Sequence, residues 1–174
     1  MTEHRLRPMA ELDLEQVLCW RNHPDIRRYM YTNHQISMQE HRAWFSSAQG
    51  SPANSLLIYE RAGEATGFVK ITKGRCSKVA DWGFYLSPEA PKGAGRLLGK
   101  LTLGYAFDQL YLHKLCGQVL AFNERSIAFH RALGFAEEGR LRDQHYDGTD
   151  YHDVVCFGIL SEEWHSKPME KNDA

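Results

Sequence analysis

Residues 88–99 read PEAPKGAGRLLG, three glycines and two prolines running directly into a leucine-rich helical pattern. A glycine-rich turn that opens a helix aims successive N–H groups at an anion, and the helix dipole favours the negative charge. The stretch therefore predicts a phosphate cradle, with Lys92 and Arg96 adding positive charge beside it. Two common cradles fail on residue type. A P-loop needs Ser or Thr after Gly-Lys to hold magnesium, but Gly99-Lys100 is followed by Leu101, and Ala94 stands where the first glycine belongs. A dinucleotide fingerprint needs a third glycine in the first turn of a βαβ unit. Gly93 and Gly95 fit it, but Leu98 does not, and the loop follows a predicted strand meander. What remains is a metal-free pyrophosphate site built from backbone N–H groups, or a tight strand–helix connection that holds no ligand.

A second block lies downstream: Asn123-Glu-Arg-Ser126-Ile-Ala-Phe129-His130-Arg-Ala-Leu-Gly134-Phe135. Together the two blocks resemble the GCN5-related N-acetyltransferase (GNAT) superfamily. Its coenzyme A loop has Gln or Arg, two residues, Gly, one residue, then Gly or Ala. Here Ala90 replaces the leading Gln or Arg, and Gly93-Ala94-Gly95 keeps the rest. The resemblance spans about residues 4 to 160. It implies an acyltransferase fold of the α/β (α+β) class, with a mixed central sheet splayed between its fourth and fifth strands and flanked by helices. It also implies acetyl-coenzyme A as cosubstrate, with no metal.

The resemblance implies residue roles too. Pantetheine would pair along Phe84, Tyr85 and Leu86, with the Leu86 N–H as oxyanion donor. The pyrophosphate would sit on the N–H groups from Lys92 through Gly93, Ala94 and Gly95 to Arg96. Asn123, Ser126 and Phe129 would line the opposite wall, Ser126 helping to orient the thiol. The family places Tyr where this chain has His130. A histidine carries a proton near neutral pH and donates well, so His130 is the expected acid for the departing thiolate.

The acceptor must be a neutral amine whose lone pair attacks the thioester. The segment Trp20-Arg21-Asn22-His23-Pro24, Met30-Tyr31 and a helix bearing His41 is similar to a narrower family, the acetyltransferases of pseudaminic acid biosynthesis. This implies the 4-amino group of a UDP-linked 4-amino-4,6-dideoxy-N-acetyl-altrosamine as acceptor, attacked directly in a ternary complex. Arg21, His41 and Lys73 would hold the nucleotide diphosphate, with Thr72 donating a hydrogen bond. Met30 and Tyr31 would face the deoxysugar methyl, Tyr85 would pack beside a ring, and Gln118 could relay protons. No carboxylate stands out as base, although Asp81 and Glu89 lie close in sequence. Three alternatives stay open: a peptide or ribosomal-protein N-terminal acetyltransferase, a small-molecule detoxifying acetyltransferase, and a non-catalytic acetyl-coenzyme A sensor.

The elements that must position these residues follow from periodicity. A strand is predicted at His4–Pro8 and a helix at Glu11–Trp20. Ser37 and Glu40 form a capping box that opens a second helix. Strands follow at Ser55–Arg61, Thr66–Lys73 and Val79–Leu86. A helix over Ala94–Leu110 precedes a strand at His113–Ala121 and a helix at Glu124–Leu133 closed by Gly134. A hairpin turns at Asp147-Gly148.

The 174 residues are 43% hydrophobic with net charge -1. That profile suits one domain over 1–165 with a disordered tail over 166–174, and it argues against a nucleic-acid or membrane-surface binder. There is no apolar signal core, no run of roughly 20 apolar residues, and four scattered cysteines without a CxxC pair. A cytoplasmic protein acting on a small nucleotide-sugar substrate is the expectation, with monomer and homodimer both open.

Overall fold

The computed structural model describes residues 2–166, so the expectation of a disordered tail falls outside the described residues from 167 onward. Seven strands form one sheet in the order β1-β2-β3-β4-β5-β7-β6. They are β1 (His4–Pro8), β2 (Asn54–Arg61), β3 (Glu64–Lys73), β4 (Val79–Leu86), β5 (Lys114–Leu120), β6 (Ala136–Tyr146) and β7 (Tyr151–Leu160). Every pairing is antiparallel except β4 with β5. That parallel pair carries a register of only three residues, Val79↔Lys114 to Asp81↔Cys116. Beyond it the two strands part, so the sheet is splayed between its fourth and fifth strands.

Helices cover both faces. On one side α1 (Leu14–Asn22) and α3 (Met38–Gln49) bury Val17, Trp20 and Phe45 against Leu56, Ile58 and Phe68. On the other, α4 (Ala94–Gly104) and α5 (Glu124–Leu133) bury Leu98, Leu103 and Leu133 against Val69, Ile71, Leu115 and Ile159. Each buried Val, Leu, Ile or Phe is worth about 1.5–3 kcal/mol of transfer free energy.

Local sequence explains most boundaries. At the start of α3 the Ser37 N–H donates to Glu40 (2.7 Å) and the Glu40 N–H to the Ser37 hydroxyl (3.2 Å), the reciprocal capping box. Gly134 closes α5 at φ +90°. Three features depart from the periodicity. A four-residue helix α2 (Pro24–Arg27) starts at Pro24, the favoured first helical position. The helix predicted to reach Leu110 widens into a π turn over Tyr105–Gln109. A short α6 (Ser161–His165) follows β7 directly, capped by the bond from the Leu160 N–H to Glu163.

All four cysteines are free thiols. Among the described residues no helix is long and apolar enough to cross a membrane.

One charged cluster ties α1 to the sheet. Arg7 on β1 donates two 2.7 Å hydrogen bonds to Asp13, at the entrance to α1, and a third bond to Glu60 on β2. Burial pushes the Asp13 carboxyl up, but the Arg7 bonds and the Ala10 N–H outweigh it and hold the group below the usual range. Removing one partner strands a carboxylate that is 3% exposed. Arg7→Met is therefore expected to cost about 3 kcal/mol, read as a lower denaturant midpoint at neutral pH. Asp13's own share of stability is present above its unfolded pKa and is lost as pH falls through the folded value.

Candidate active site in the splayed sheet

The parting of β4 and β5 opens a cleft of about 900 Å³. Strand parity decides what β4 presents to it. The Ser87 N–H bonds to the Thr66 carbonyl at 2.8 Å, and Gly67↔Leu86 is the next pair in register. In an antiparallel ladder hydrogen-bonded and non-bonded pairs alternate. The backbone N–H and C=O groups of Leu86 and Phe84 therefore turn away from β3, toward the side where β5 has left.

The glycine loop forms the mouth. Gly93 caps α4 at φ +90°, a backbone that side-chain-bearing residues rarely adopt. The expected cradle needs a correction. The Ala94 N–H donates to the Pro91 carbonyl and the Arg96 N–H to the Gly93 carbonyl, each at 3.1 Å. Those two groups are spent on the turn itself, and Ala94 is buried. The N–H groups of Lys92, Gly93 and Gly95 have no acceptor among the described residues and remain for a ligand. With the outward groups of Phe84 and Leu86, they fit an extended molecule ending in an anion.

The opposite wall is α5. The Asn123 side chain accepts from the Ser126 N–H at 3.1 Å and so caps the helix. Phe129 packs on Phe84, ring centroids 4.9 Å apart. His130 lies deeper, 3% exposed, stacked on Phe157 of β7 at 5.0 Å and edge-on to Trp82 of β4 at 5.5 Å. Its Nδ1 lies 2.8 Å from the Ser126 carbonyl. A carbonyl can only accept, so the ring proton sits on Nδ1. Burial lowers the His130 pKa, and the Ser126 bond only partly opposes it. The neutral ring thus presents a lone pair at Nε2, not a proton. The acid role expected of His130 needs a second proton, carried on Nε2.

Of the predicted acceptor residues, Met30, Tyr31, Tyr85 and Gln118 line the cleft. The Tyr31 hydroxyl donates to Gln118 at 2.9 Å, joining the segment after α2 to β5. Arg21, His41, Thr72 and Lys73 lie outside the lining. Arg21 donates to the Thr32 carbonyl at 2.8 Å and ties that segment down. His41 is buried, stacked on Trp44 at 5.1 Å. The Thr72 hydroxyl donates to Asn54 at 3.0 Å. Lys73 ends β3, where its N–H bonds to the Ala53 carbonyl.

The cleft also gathers residues with no prior assignment: Asp25, Lys70, Asp81, Trp82 and Arg125. Lys70 pairs in register with Gly83, and that face also carries Asp81 and Tyr85. Period-two alternation in TGFVKITK and VADWGFYL could have shown this grouping, but not which face is open. Burial raises the Asp81 carboxyl. Among the described residues, no group of three or more His, Cys, Asp or Glu side chains is disposed to hold a metal ion.

Residues 4–136 match the family described as an acetyltransferase (GNAT) domain. The chain is similar to the spermidine N(1)-acetyltransferase of Escherichia coli (strain K12), 26% identical over 162 residues, covering 92% of this chain and 87% of that protein. It is also similar to the acetyltransferase PseH of Campylobacter jejuni (strain ATCC 700819 / NCTC 11168), 29% identical over 148 residues, covering 82% and 90%. The crystal structure of spermidine N-acetyltransferase from Vibrio cholerae in complex with CoA and spermine superposes with a TM-score of 0.87. That match has 25% identity over 93% of this chain and 98% of the other.

A methyl group at Gly93 meets no atom, so its penalty comes from the positive φ alone. Gly93→Ala is expected to weaken coenzyme A binding about tenfold by calorimetric titration as the loop leaves its positive φ, and to lower the thermal midpoint by roughly a few degrees where it keeps it.

Proposed function

This chain belongs to the acetyltransferase (GNAT) domain family, and from that premise we propose how its cleft divides between donor and acceptor. It is an acetyl-coenzyme A-dependent N-acetyltransferase. In our reading the pyrophosphate rests on the N–H groups of Lys92, Gly93 and Gly95, beside the Lys92 and Arg96 side chains. Pantetheine runs along Phe84, Tyr85 and Leu86 against Phe129, Asn123 and Ser126. The Leu86 N–H, turned away from β3, meets the thioester carbonyl, where an oriented donor is worth about 3 kcal/mol in the transition state. One continuous cleft joins the loop end to Met30, Tyr31 and Gln118. That continuity supports direct attack by the amine while both substrates are bound.

The acceptor in this reading is the amine of a UDP-linked amino-dideoxy sugar. The observation that carries it is the charge at the acceptor end. Asp25 lies 3.8 Å from Arg28, and Asp81 alone of the lining carboxylates has no ion-pair partner among the described residues. Lys70 enters the same cleft, and Arg27 and Arg28 line the groove continuing from it past Asp25 and Met30. An acceptor carrying phosphates suits that balance, and a polycation held by one free carboxylate does not. In this reading Lys70 and Arg27 take the diphosphate role in place of Arg21, His41 and Lys73, which lie outside the lining. Met30, Tyr31 and Tyr85 supply an apolar and aromatic seat for the deoxysugar, and Gln118 is held ready by Tyr31.

A second reading, a polyamine acceptor, is favoured by the similarity over most of the chain to spermidine acetyltransferases. Asp81 would then anchor one ammonium group. The two part in a thiol-release assay with acetyl-coenzyme A. The first expects turnover with the UDP-linked 4-amino sugar and at least tenfold lower kcat/KM with spermidine, a gap of about 1.4 kcal/mol. The reverse order selects the polyamine, and activity confined to peptide amino termini sinks both.

A further inference from the structure

The lining of the cleft includes a glycine that nothing in the fold requires. Gly83 stands in the interior of β4, where glycine weakens a strand and marks a bulge, a tight bend, or the close approach of a ligand or another backbone. There is no bulge here. The β3–β4 register runs without a shift from Gly67↔Leu86 to Lys73↔Ala80, with Lys70 opposite Gly83. The φ of Gly83 is not positive. Nor does anything crowd the position: a Cβ on Gly83 would meet no atom within 4 Å. Two other strand glycines differ. A Cβ on Gly67 would lie 2.9 Å from Leu86 and Leu98, and one on Gly158 would lie 2.5 Å from Glu138. Packing demands those two. Gly83 has open space above it, and it lines the cleft.

Alternation along β4 decides the side on which that space opens. Trp82 and Phe84 turn toward α5 and pack on Phe129 and His130. Asp81, Gly83 and Tyr85 share the other face, where Tyr85 packs on Phe68 beneath α1 and α3. Gly83 therefore opens toward the acceptor side, one residue before the Phe84–Leu86 stretch assigned to the donor. Asp81 and Tyr85 bracket it along the strand, and Lys70 flanks it on β3. On the other flank β5 has parted from β4. The register Asp81↔Cys116, continued by two residues, reaches Gln118, which the Tyr31 hydroxyl holds at 2.9 Å. Lys70, Asp81, Tyr85 and Gln118 all line the same cleft. The result is a notch one side chain wide, walled by polar groups, between the donor's strand and the acceptor's residues.

We propose that Gly83 is a specificity-determining residue of the acceptor site: the carbon bearing the attacking amine rests on its open face, and the missing side chain admits an amine on a ring carbon. The inference rests on the acetyl-transfer reading and adds to it a class of acceptor. An amine that ends an unbranched chain has one carbon substituent on its α-carbon and needs no notch. An amine on a ring carbon has two, and the second must be lodged while the nitrogen closes to about 3–3.5 Å from the thioester carbon. A single methylene in a pocket changes discrimination by roughly 10–200-fold, so one methyl group on this floor is enough to be read.

The test is Gly83→Ala, assayed by thiol release at saturating acetyl-coenzyme A. The probes are the UDP-linked 4-amino sugar, whose amine is on a ring carbon, and spermidine, whose amines are on unbranched chains. The methyl enters open space, so the thermal midpoint and the calorimetric affinity for coenzyme A are expected to match the wild type. The kcat/KM ratio of sugar to spermidine is expected to fall at least about tenfold. The charge of each probe cancels in that change of ratio. An unchanged ratio, whether both rates fall together or neither does, overturns the proposal and leaves the acceptor reading standing where the wild type turns over the sugar. Weaker coenzyme A binding by Gly83→Ala also overturns it, because the methyl then lies against the donor. If the wild type acts on the sugar alone, a tenfold loss with coenzyme A affinity intact supports the floor, and a smaller loss refutes it. A wild type active on spermidine but not on the sugar removes both the acceptor reading and the ring-carbon floor. No turnover of either amine defeats the acetyl-transfer reading. The floor is then read by titrating the sugar into the coenzyme A complex: binding weakened about tenfold by Gly83→Ala supports it, and equal or absent binding refutes it.

Discussion

The β4–β5 pairing ends after three residues, and the chemistry depends on that ending. Had the two strands continued, the outward N–H and C=O groups of Phe84 and Leu86 would be satisfied by β5, and no extended ligand could use them. A parallel pair is held open here by what stands between its arms. His130 stacks on Phe157 of one arm and meets Trp82 of the other edge-on, so α5 acts as a wedge. In the reading proposed above, a ligand that restores those bonds offsets the cost of exposing strand backbone. The unsatisfied N–H groups of the glycine loop follow the same logic a turn further on.

The acceptor end is built from a second constraint, a strap. Residues 28–33 leave α2 and cross the mouth of the cleft to the far half of the sheet. Tyr29 stacks on Phe122, Tyr31 bonds to Gln118 and rests on His145, and Asn33 donates to the Asp147 carbonyl at the β6–β7 turn. On the near side Arg21 holds the Thr32 carbonyl, and the Arg7–Asp13 pair fixes the helix that carries Arg21. Arg21 therefore acts on the backbone of the strap.

What could be read in the sequence was whatever depends on local backbone. The glycine loop, the capping box at Ser37 and the Asp147–Gly148 turn are set by residues within a few positions of each other, and each sits where its pattern puts it. The splay was legible only through resemblance, since nothing in VADWGFYL says where a partner strand stops. Thr72 and Lys73 show the limit plainly. They sit on a strand beside the cleft, but Thr72 is drawn to Asn54 across a pairing between residues 18 apart, and the cleft falls instead at Lys70. The sense of the His130 hydrogen bond was equally out of reach. It depends on which ring nitrogen finds the Ser126 carbonyl, a matter of rotamer and not of residue type.

That sense also bears on why a histidine can stand where the family has a tyrosine. A phenol has one polar atom, which must serve as both donor and acceptor, and it keeps its proton at neutral pH. An imidazole has two. Anchoring Nδ1–H to the carbonyl of its own helix leaves the other nitrogen free and fixes which nitrogen of the neutral ring carries the proton. Burial lowers the pKa of the ring and so favours the neutral form.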